Sequence, residues 1–278
     1  MPSPHALLTS THEFPMNIVL HSGSHTAIPA APVEQRPPAF PERLAVLIPA
    51  WNPGAELTSL VETLIQMGCR TVLVVDDGSS AGAQPVFQRL REMPAITLLR
   101  HAHNHGKGCA LRTGFQEFLR AWPDYDGVIT ADADGQHAPE DIARVAAALA
   151  ASPTRIILGA RPFPSTMPWR SRLGNVLTRY AFRAATGVML ADTQTGLRGI
   201  PRTLLPELLT IPGDRYEYEM AALTHWCCQG CAPVEVPIQT IYHDHNRSSH
   251  FHPLRDSYGI YSVLALHRLR GKSRNPPR

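Results

Sequence analysis

The sequence predicts an α/β fold built on a doubly wound, mainly parallel sheet. Three observations carry this expectation. From Leu44 onward, apolar runs of strand length alternate with longer segments of helical period, the pattern left by strands joined through crossover helices. The acidic and glycine-rich punctuation falls at the ends of the strand-like runs, where open parallel sheets gather their ligands. At 278 residues, the chain can bury one large core, so a single domain over 42–270 is the default.

The elements follow in order. Residues 1–41 hold eight prolines and four histidines but only three charged residues, without strand or helix period, and are read as a disordered arm. Leu44–Ala50 is a continuous apolar strand, and Ala55–Met67 has a helical period. Thr71–Val75 is a second strand, Pro85–Glu92 a helix opened by proline, and Ile96–Leu99 a third strand. Lys107–Trp122 is a helix entered through Gly106-Lys107-Gly108, and Gly127–Ala131 is the fourth strand. Pro139–Ala150 begins with proline and two acids, a good helix start, and leads to a strand at Ile156–Gly159. The alternation then breaks into a basic helix (Arg170–Thr186), a weak strand (Leu197–Ile200), two helices, a strand (Val234–Ile238), an amphipathic helix near Leu254–Leu269 and a basic tail, 271–278.

Charge and cysteine usage bound the function. A net charge of +3 is too small to argue for nucleic acid, but it is unevenly spread: six arginines and no acid lie between Arg155 and Arg183. Such a stretch suits phosphates or an anionic membrane surface, the alternative being solvated helix faces. Five cysteines without regular spacing point to a reducing, cytoplasmic setting. The longest apolar stretch, Val145–Ala151, is far short of the ~20 residues of a spanning helix, so any membrane contact is expected to be peripheral. For that contact the last helix offers Leu254, Tyr258, Tyr261 and Leu264 at helical spacing, with Arg255, His267, Arg268 and Arg270 beside them. Its alternative role is to cover the sheet.

The chemistry is expected at the strand ends. The first strand ends in Pro49-Ala50-Trp51-Asn52, the second in Asp76-Asp77-Gly78-Ser79, and the fourth in Asp132-Ala133-Asp134-Gly135-Gln136-His137. In extended backbone, Asp132 and Asp134 project to the same side, and Gln136 continues the period. Hard oxygen ligands of this kind suit Mg²⁺ or Mn²⁺. The alternative is that these residues only cap a turn. No Gly-x4-Gly-Lys-Ser/Thr loop occurs, which counts against a nucleotidyltransferase.

The stretches LAVLIPAWN, VLVVDDGSS, NHGKGCALRTGF, ITADADGQHAPEDI and ADTQTGLRGIP together resemble the inverting family-two glycosyltransferases with the GT-A fold, especially the dolichol-phosphate mannose synthase type. The resemblance runs from about residue 44 to 262. It implies inverting transfer of a hexose from a GDP- or UDP-sugar, most readily to a polyprenyl phosphate. A saccharide-hydroxyl acceptor, or a non-catalytic module that binds nucleotide sugar or lipid phosphate, is the alternative. By resemblance Pro49 and Trp51 flank the base, Asp76 and Asp77 bond base and ribose, Lys107 neutralises the diphosphate, and Asp132, Asp134 and Gln136 hold the metal. Asp134 and Asp192 are the candidate catalytic residues; Asp192 serves as base with a hydroxyl acceptor and as an orienting group for Arg198 or the sugar with a phosphate acceptor. Arg161, Arg170, Arg172, Arg198 and Arg247 are assigned to the acceptor phosphate, Arg247 in a closing loop rich in histidine (His243, His245, His250, His252). The family's Tyr-Asn-Glu is replaced by Trp51-Asn52-Pro53, with Glu56 one turn later. Glu217 and Glu219 are read as helix-start caps, and Cys227, Cys228 and Cys231 as buried apolar residues without function.

Overall fold

The computed structural model describes residues 39–161, 169–239, 261, 262 and 264, with the side chains of 169–174 excepted. Seven strands form one sheet: β1 (Leu44–Ala50), β2 (Val72–Asp76), β3 (Ile96–Arg100), β4 (Gly127–Thr130), β5 (Ile157–Ala160), β6 (Arg198–Pro201) and β7 (Val234–Pro237), in the order β3-β2-β1-β4-β6-β5-β7. Strands β1 to β4 are mutually parallel, with Val46 opposite Val72 and Ile129 opposite Val46 on the other side. β6 is the exception. It runs antiparallel between β4 and β5, pairing Gly199 with both Ile129 and Ile157, while β5 and β7 are parallel.

The helices wind on both faces, as expected. They are α1 (Ala55–Gln66), α2 (Gln84–Arg91), α3 (Lys107–Ala121), α4 (Pro139–Ala151), α5 (Trp169–Thr186), the short α6 (Leu205–Leu208) and α7 (Glu217–Cys228). Every residue of β1 is buried, and its alternation divides the core. Leu44, Val46 and Ile48 pack with Leu57, Val61 and Leu64 of α1 and with Ile142, Val145 and Leu149 of α4. Ala45 and Leu47 pack with Leu111, Phe115 and Phe118 of α3 and with Tyr218 and Trp226 of α7. A strand buried on both faces reads as an uninterrupted apolar run, which is why it stood out in the sequence.

One boundary differs from expectation, and one of the two roles stated for the last helix is favoured by packing. Phe40, assigned to the arm, is 4% exposed within the first cluster, and its N–H donates to the Met67 carbonyl at 3.1 Å. In the last predicted helix, the Tyr261 hydroxyl lies 3.0 Å from the Thr178 hydroxyl, and Leu264 is buried with Leu158, Phe182, Leu190 and Leu223. These two members of the predicted membrane-facing stripe therefore cover α5 and α7 instead. No described helix is long and apolar enough to cross a membrane. Residues 1–38, the histidine-rich segment with Arg247, and the 271–278 tail lie outside the described residues.

Candidate functional site

The carboxyl ends of β1, β2 and β4 converge, but their acids divide the work unevenly. Asp76 is fully buried; one oxygen accepts the Ser79 N–H at 2.8 Å and the other lies 3.3 Å from Arg100 Nε. It holds its own turn, which differs from the expected contact with base or ribose. Asp77 organises the approach to α3. Its Oδ1 accepts the His105 N–H at 2.9 Å and lies 2.7 Å from His101 Nδ1, and its Oδ2 accepts the Gly106 N–H at 2.7 Å. Gly106 has φ of 101°, a left-handed conformation that glycine adopts without penalty, and a Cβ there would strike the Asp214 carbonyl. Lys107 is thereby delivered as the first residue of α3. Trp51, Pro49, Asp77, Lys107, Arg215 and Tyr216 line one cleft. Asp76 is absent from its lining.

Lys107 links this cleft to the β4 loop. Its Nζ lies 2.6 Å from Asp132 Oδ1 and 2.6 Å from Glu219 Oε2, and 5.7 Å from the centre of the Tyr216 ring. Burial works against the ammonium, but the two carboxylates outweigh it and hold the Lys107 pKa above its ordinary value. The other Asp132 oxygen lies 3.2 Å from His137 Nε2. For Asp132 too, burial opposes the charge, and Lys107 and His137 reverse the balance, so its pKa is lowered. Asp134 has the opposite fate: burial and then the charge of Asp132 raise its pKa.

The two acids do not meet through the pleat of a strand, as the spacing suggested. β4 ends at Thr130, Ala133–Asp134 forms a turn, and Asp134 Oδ1 accepts the Gln136 N–H at 3.1 Å before Gly135 takes φ of 74°. Gln136 enters this bond through its backbone. Gly196 backs the site from the β6 side, because a Cβ there would overlap the Asp132 carboxylate.

On the far side, Arg161 at the end of β5 donates to Asp192 at 2.6 and 3.3 Å. Asp192 Oδ1 also accepts the Gln194 N–H at 2.9 Å, and Glu235 of β7 accepts the Ala191 N–H at 2.7 Å. Asp192 thus orients Arg161, not Arg198. Arg198 departs from its expected acceptor role: it is buried and donates to the carbonyls of Thr195 (3.1 Å) and Glu219 (2.7 Å), so it braces α7 against β6. Arg170 and Arg172 fall in α5, with side chains outside the described set. Glu217 caps as expected, accepting the N–H groups of Asp214 and Arg215 at 3.0 and 3.2 Å. Cys227 is buried, but Cys228, the last residue of α7, and Cys231 beyond it are exposed, which differs from the expectation that all three are buried.

Glu219, read from the sequence as a helix-start cap, and His137 and Tyr216, given no role there, are the residues whose place in the site the sequence reading missed. Only His137 carried a signal, as the last residue of the acidic motif.

The sequence model of glycosyl transferase family 2 matches residues 45–208, more than half of the chain. The chain belongs to glycosyl transferase family 2. This family 2 transferase is 28% identical over 220 residues to the UDP-N-acetylglucosamine–dolichyl-phosphate N-acetylglucosaminyltransferase of Methanococcus voltae, an alignment covering 72% of this chain and 86% of that one. It is 29% identical over 211 residues to the polyprenol monophosphomannose synthase of Mycolicibacterium smegmatis, covering 71% and 77%. Among solved structures, glucosyl-3-phosphoglycerate synthase from Mycobacterium tuberculosis in complex with Mg²⁺ and uridine-diphosphate superposes with a TM-score of 0.60 at 16% identity, over 81% of this chain and 79% of that one. That likeness establishes the GT-A fold. Tyr216 and Glu219 lie beyond the family match.

Proposed function

We propose that this family 2 transferase moves a hexose from a nucleoside-diphosphate sugar to a polyprenyl phosphate, with inversion, using Mg²⁺ or Mn²⁺ at Asp132 and Asp134. The observation that carries the reading is the position of Lys107. It lines the same cleft as Trp51 and Asp77 and pairs with Asp132 at 2.6 Å. A flat aromatic wall, a fixed cation and adjoining carboxylates therefore meet at one place, the complement of a nucleoside diphosphate.

The donor set fits a hard divalent ion. Burial first, and then the charge of Asp132, raise the Asp134 pKa, and a cation between the two carboxylates relieves the second of these. Among the described residues, no group of three His, Cys, Asp or Glu is placed to enclose a metal, and a site with one or two carboxylates completed by phosphate oxygens suits Mg²⁺ or Mn²⁺. When bound, the ion supplies charge that stabilises the departing diphosphate. Lys107 adds a second fixed positive charge, and Trp51 and Tyr216 present aromatic faces to the base.

The acceptor reading draws on relatives whose names specify dolichyl phosphate, polyprenol and undecaprenyl phosphate. A lipid phosphate arrives ionised and needs no base to attack the face of the sugar opposite the diphosphate. Both Asp192 oxygens already accept hydrogen bonds, so this carboxylate fixes Arg161, whose planar fork suits phosphate. Arg170, Arg172 and Arg247 complete the proposed acceptor set. A screen of labelled UDP- and GDP-sugars with polyprenyl phosphate and Mn²⁺ is expected to show transfer. Asp134→Ala is expected to lower it by ~1,000-fold or more, the scale of several kcal/mol of lost charge stabilisation, with an unchanged melting temperature. Activity within a few-fold of wild type would refute the metal assignment, and transfer only to saccharide hydroxyls would refute the acceptor.

A further inference from the structure

Of the described residues that line the cleft, only Lys107 and Arg215 are basic. Lys107 is committed, because Asp132 and Glu219, each 2.6 Å away, share its charge. Arg215 is not. Its guanidinium makes no hydrogen bond or ion pair among the described residues, although the residue is half-buried. A cation drawn partly out of water with no anion beside it is costly, and a bound anion removes that cost.

The backbone that carries Arg215 is held from several sides. Arg112 of α3 donates to the carbonyls of Ile211 and Gly213 and to the Asp214 carboxylate. In the first turn of the same helix, the Cys109 N–H donates to the Asp214 carbonyl at 3.2 Å, and Glu217 accepts the Arg215 N–H at 3.2 Å. Arg215 then lies across Gly106, where a Cβ would come within 2.8 Å of its Cγ. This fastening fixes where the side chain starts and leaves its end uncommitted, which lowers the entropy cost of gripping a ligand. An arginine that only faced solvent would need no such support.

Chemistry selects the part of a nucleotide that suits this group. A guanidinium is a donor only. The pairing edges of uracil and guanine carry N–H groups beside their acceptors, so they meet it only in part. Phosphate oxygens are acceptors throughout and match the planar fork. Position agrees: Gly106 directly precedes Lys107, whose ammonium leads to Asp132, whereas Trp51 enters the cleft from the end of β1. Arg215 also lies outside the family match, which ends at residue 208, so that match does not account for it.

We propose that Arg215 grips the phosphate oxygens of the donor's nucleoside diphosphate and supplies the uncommitted positive charge of the cleft. The proposal rests on the nucleoside-diphosphate reading of that cleft. It is tested by titrating the full chain calorimetrically with UDP and GDP, in Mg²⁺ and again in EDTA, and by following uridine and guanosine in ligand-observed magnetic resonance. Arg215→Met should weaken the nucleoside diphosphate that the wild type binds by about ten-fold or more, and the loss should persist in EDTA, because the arginine and not an ion has been removed. Affinity for the matching nucleoside should stay at the wild-type value. Arg215→Lys, which keeps the charge but not the fork, should recover part of the loss. The melting temperature of the ligand-free protein should not fall, since no described residue bonds the side chain. Unchanged diphosphate affinity in Arg215→Met would overturn the proposal and leave the donor reading standing. An equal loss for nucleoside and diphosphate would overturn it by moving Arg215 to the base. A wild-type protein that binds neither UDP nor GDP would overturn the donor reading and this proposal together.

Discussion

At the scale of single residues, the site is a chain of opposed charges in which each group sets its neighbour. Lys107 stands between Asp132 and Glu219 at 2.6 Å from each, and Glu219 Oε1 accepts no hydrogen bond in its buried position. Dividing the ammonium between two acids moderates its hold on Asp132. With Glu219→Gln the whole attraction falls on Asp132, which competes with any cation for that carboxylate. Outer partners of metal ligands commonly contribute 10–100-fold to affinity, so the variant should bind Mn²⁺ at least ~10-fold more weakly in a titration followed by electron paramagnetic resonance without substrates. Glu219→Asp should recover part of the loss. Titration curves for Glu219→Gln that superpose on wild type would reduce Glu219 to a helix-start residue. Nothing in the sequence separated it from Glu217, which does cap, because only the packing of α7 turns one acid inward and the other to the backbone.

At the scale of elements, the strands and the loops after β1, β2 and β4 were legible because a strand buried on both faces leaves an unbroken apolar run, and its end is marked by residues that would be costly inside. β6 was legible only as a weak strand. It has four residues, Arg198–Pro201, and its antiparallel course depends on partners 42 and 70 residues away, Ile157 and Ile129, which pair with Gly199. Arg198 was misjudged for the same reason: an arginine on so short a segment reads as surface until its two carbonyl partners are seen. The turn before β6 also bears on the site. Gly196 abuts the Asp132 carboxylate, which Lys107 and His137 hold from other directions. A methyl group there cannot be accommodated without displacing a carboxylate that has two anchors. Gly196→Ala should therefore lower kcat/KM by ~100-fold, the effect of about 1 Å of misplacement, while stability changes by no more than the ~1–3 kcal/mol of local overpacking. Near-wild-type turnover would mean that Asp132 moves freely and that its position does not limit the reaction.

At the scale of the whole molecule, the question is where the folded domain begins. Composition sets the arm at residues 1–41, since prolines without apolar period have nothing to pack, but packing sets the boundary earlier. Phe40 lies in the largest apolar cluster with Leu64 and Val72, and its N–H closes onto Met67 at the end of α1. An isolated aromatic beside prolines shows no period, so sequence pattern could not reveal it; only the pocket under α1 does. Two truncations separate these boundaries. Removing residues 1–38 should leave melting temperature and turnover unchanged. Removing 1–41 takes Phe40 away, and a Phe→Ala loss in a core is ~3–5 kcal/mol, which for a domain of this size lowers the melting temperature by roughly 6–20 °C. Phe40→Ala in the full chain should reproduce that drop without altering KM for the donor, because Phe40 touches none of the cleft. If the shorter truncation alone destabilises the protein, residues before 39 pack against the domain as well. If neither truncation does, Phe40 lies in a pocket that closes at no cost when emptied.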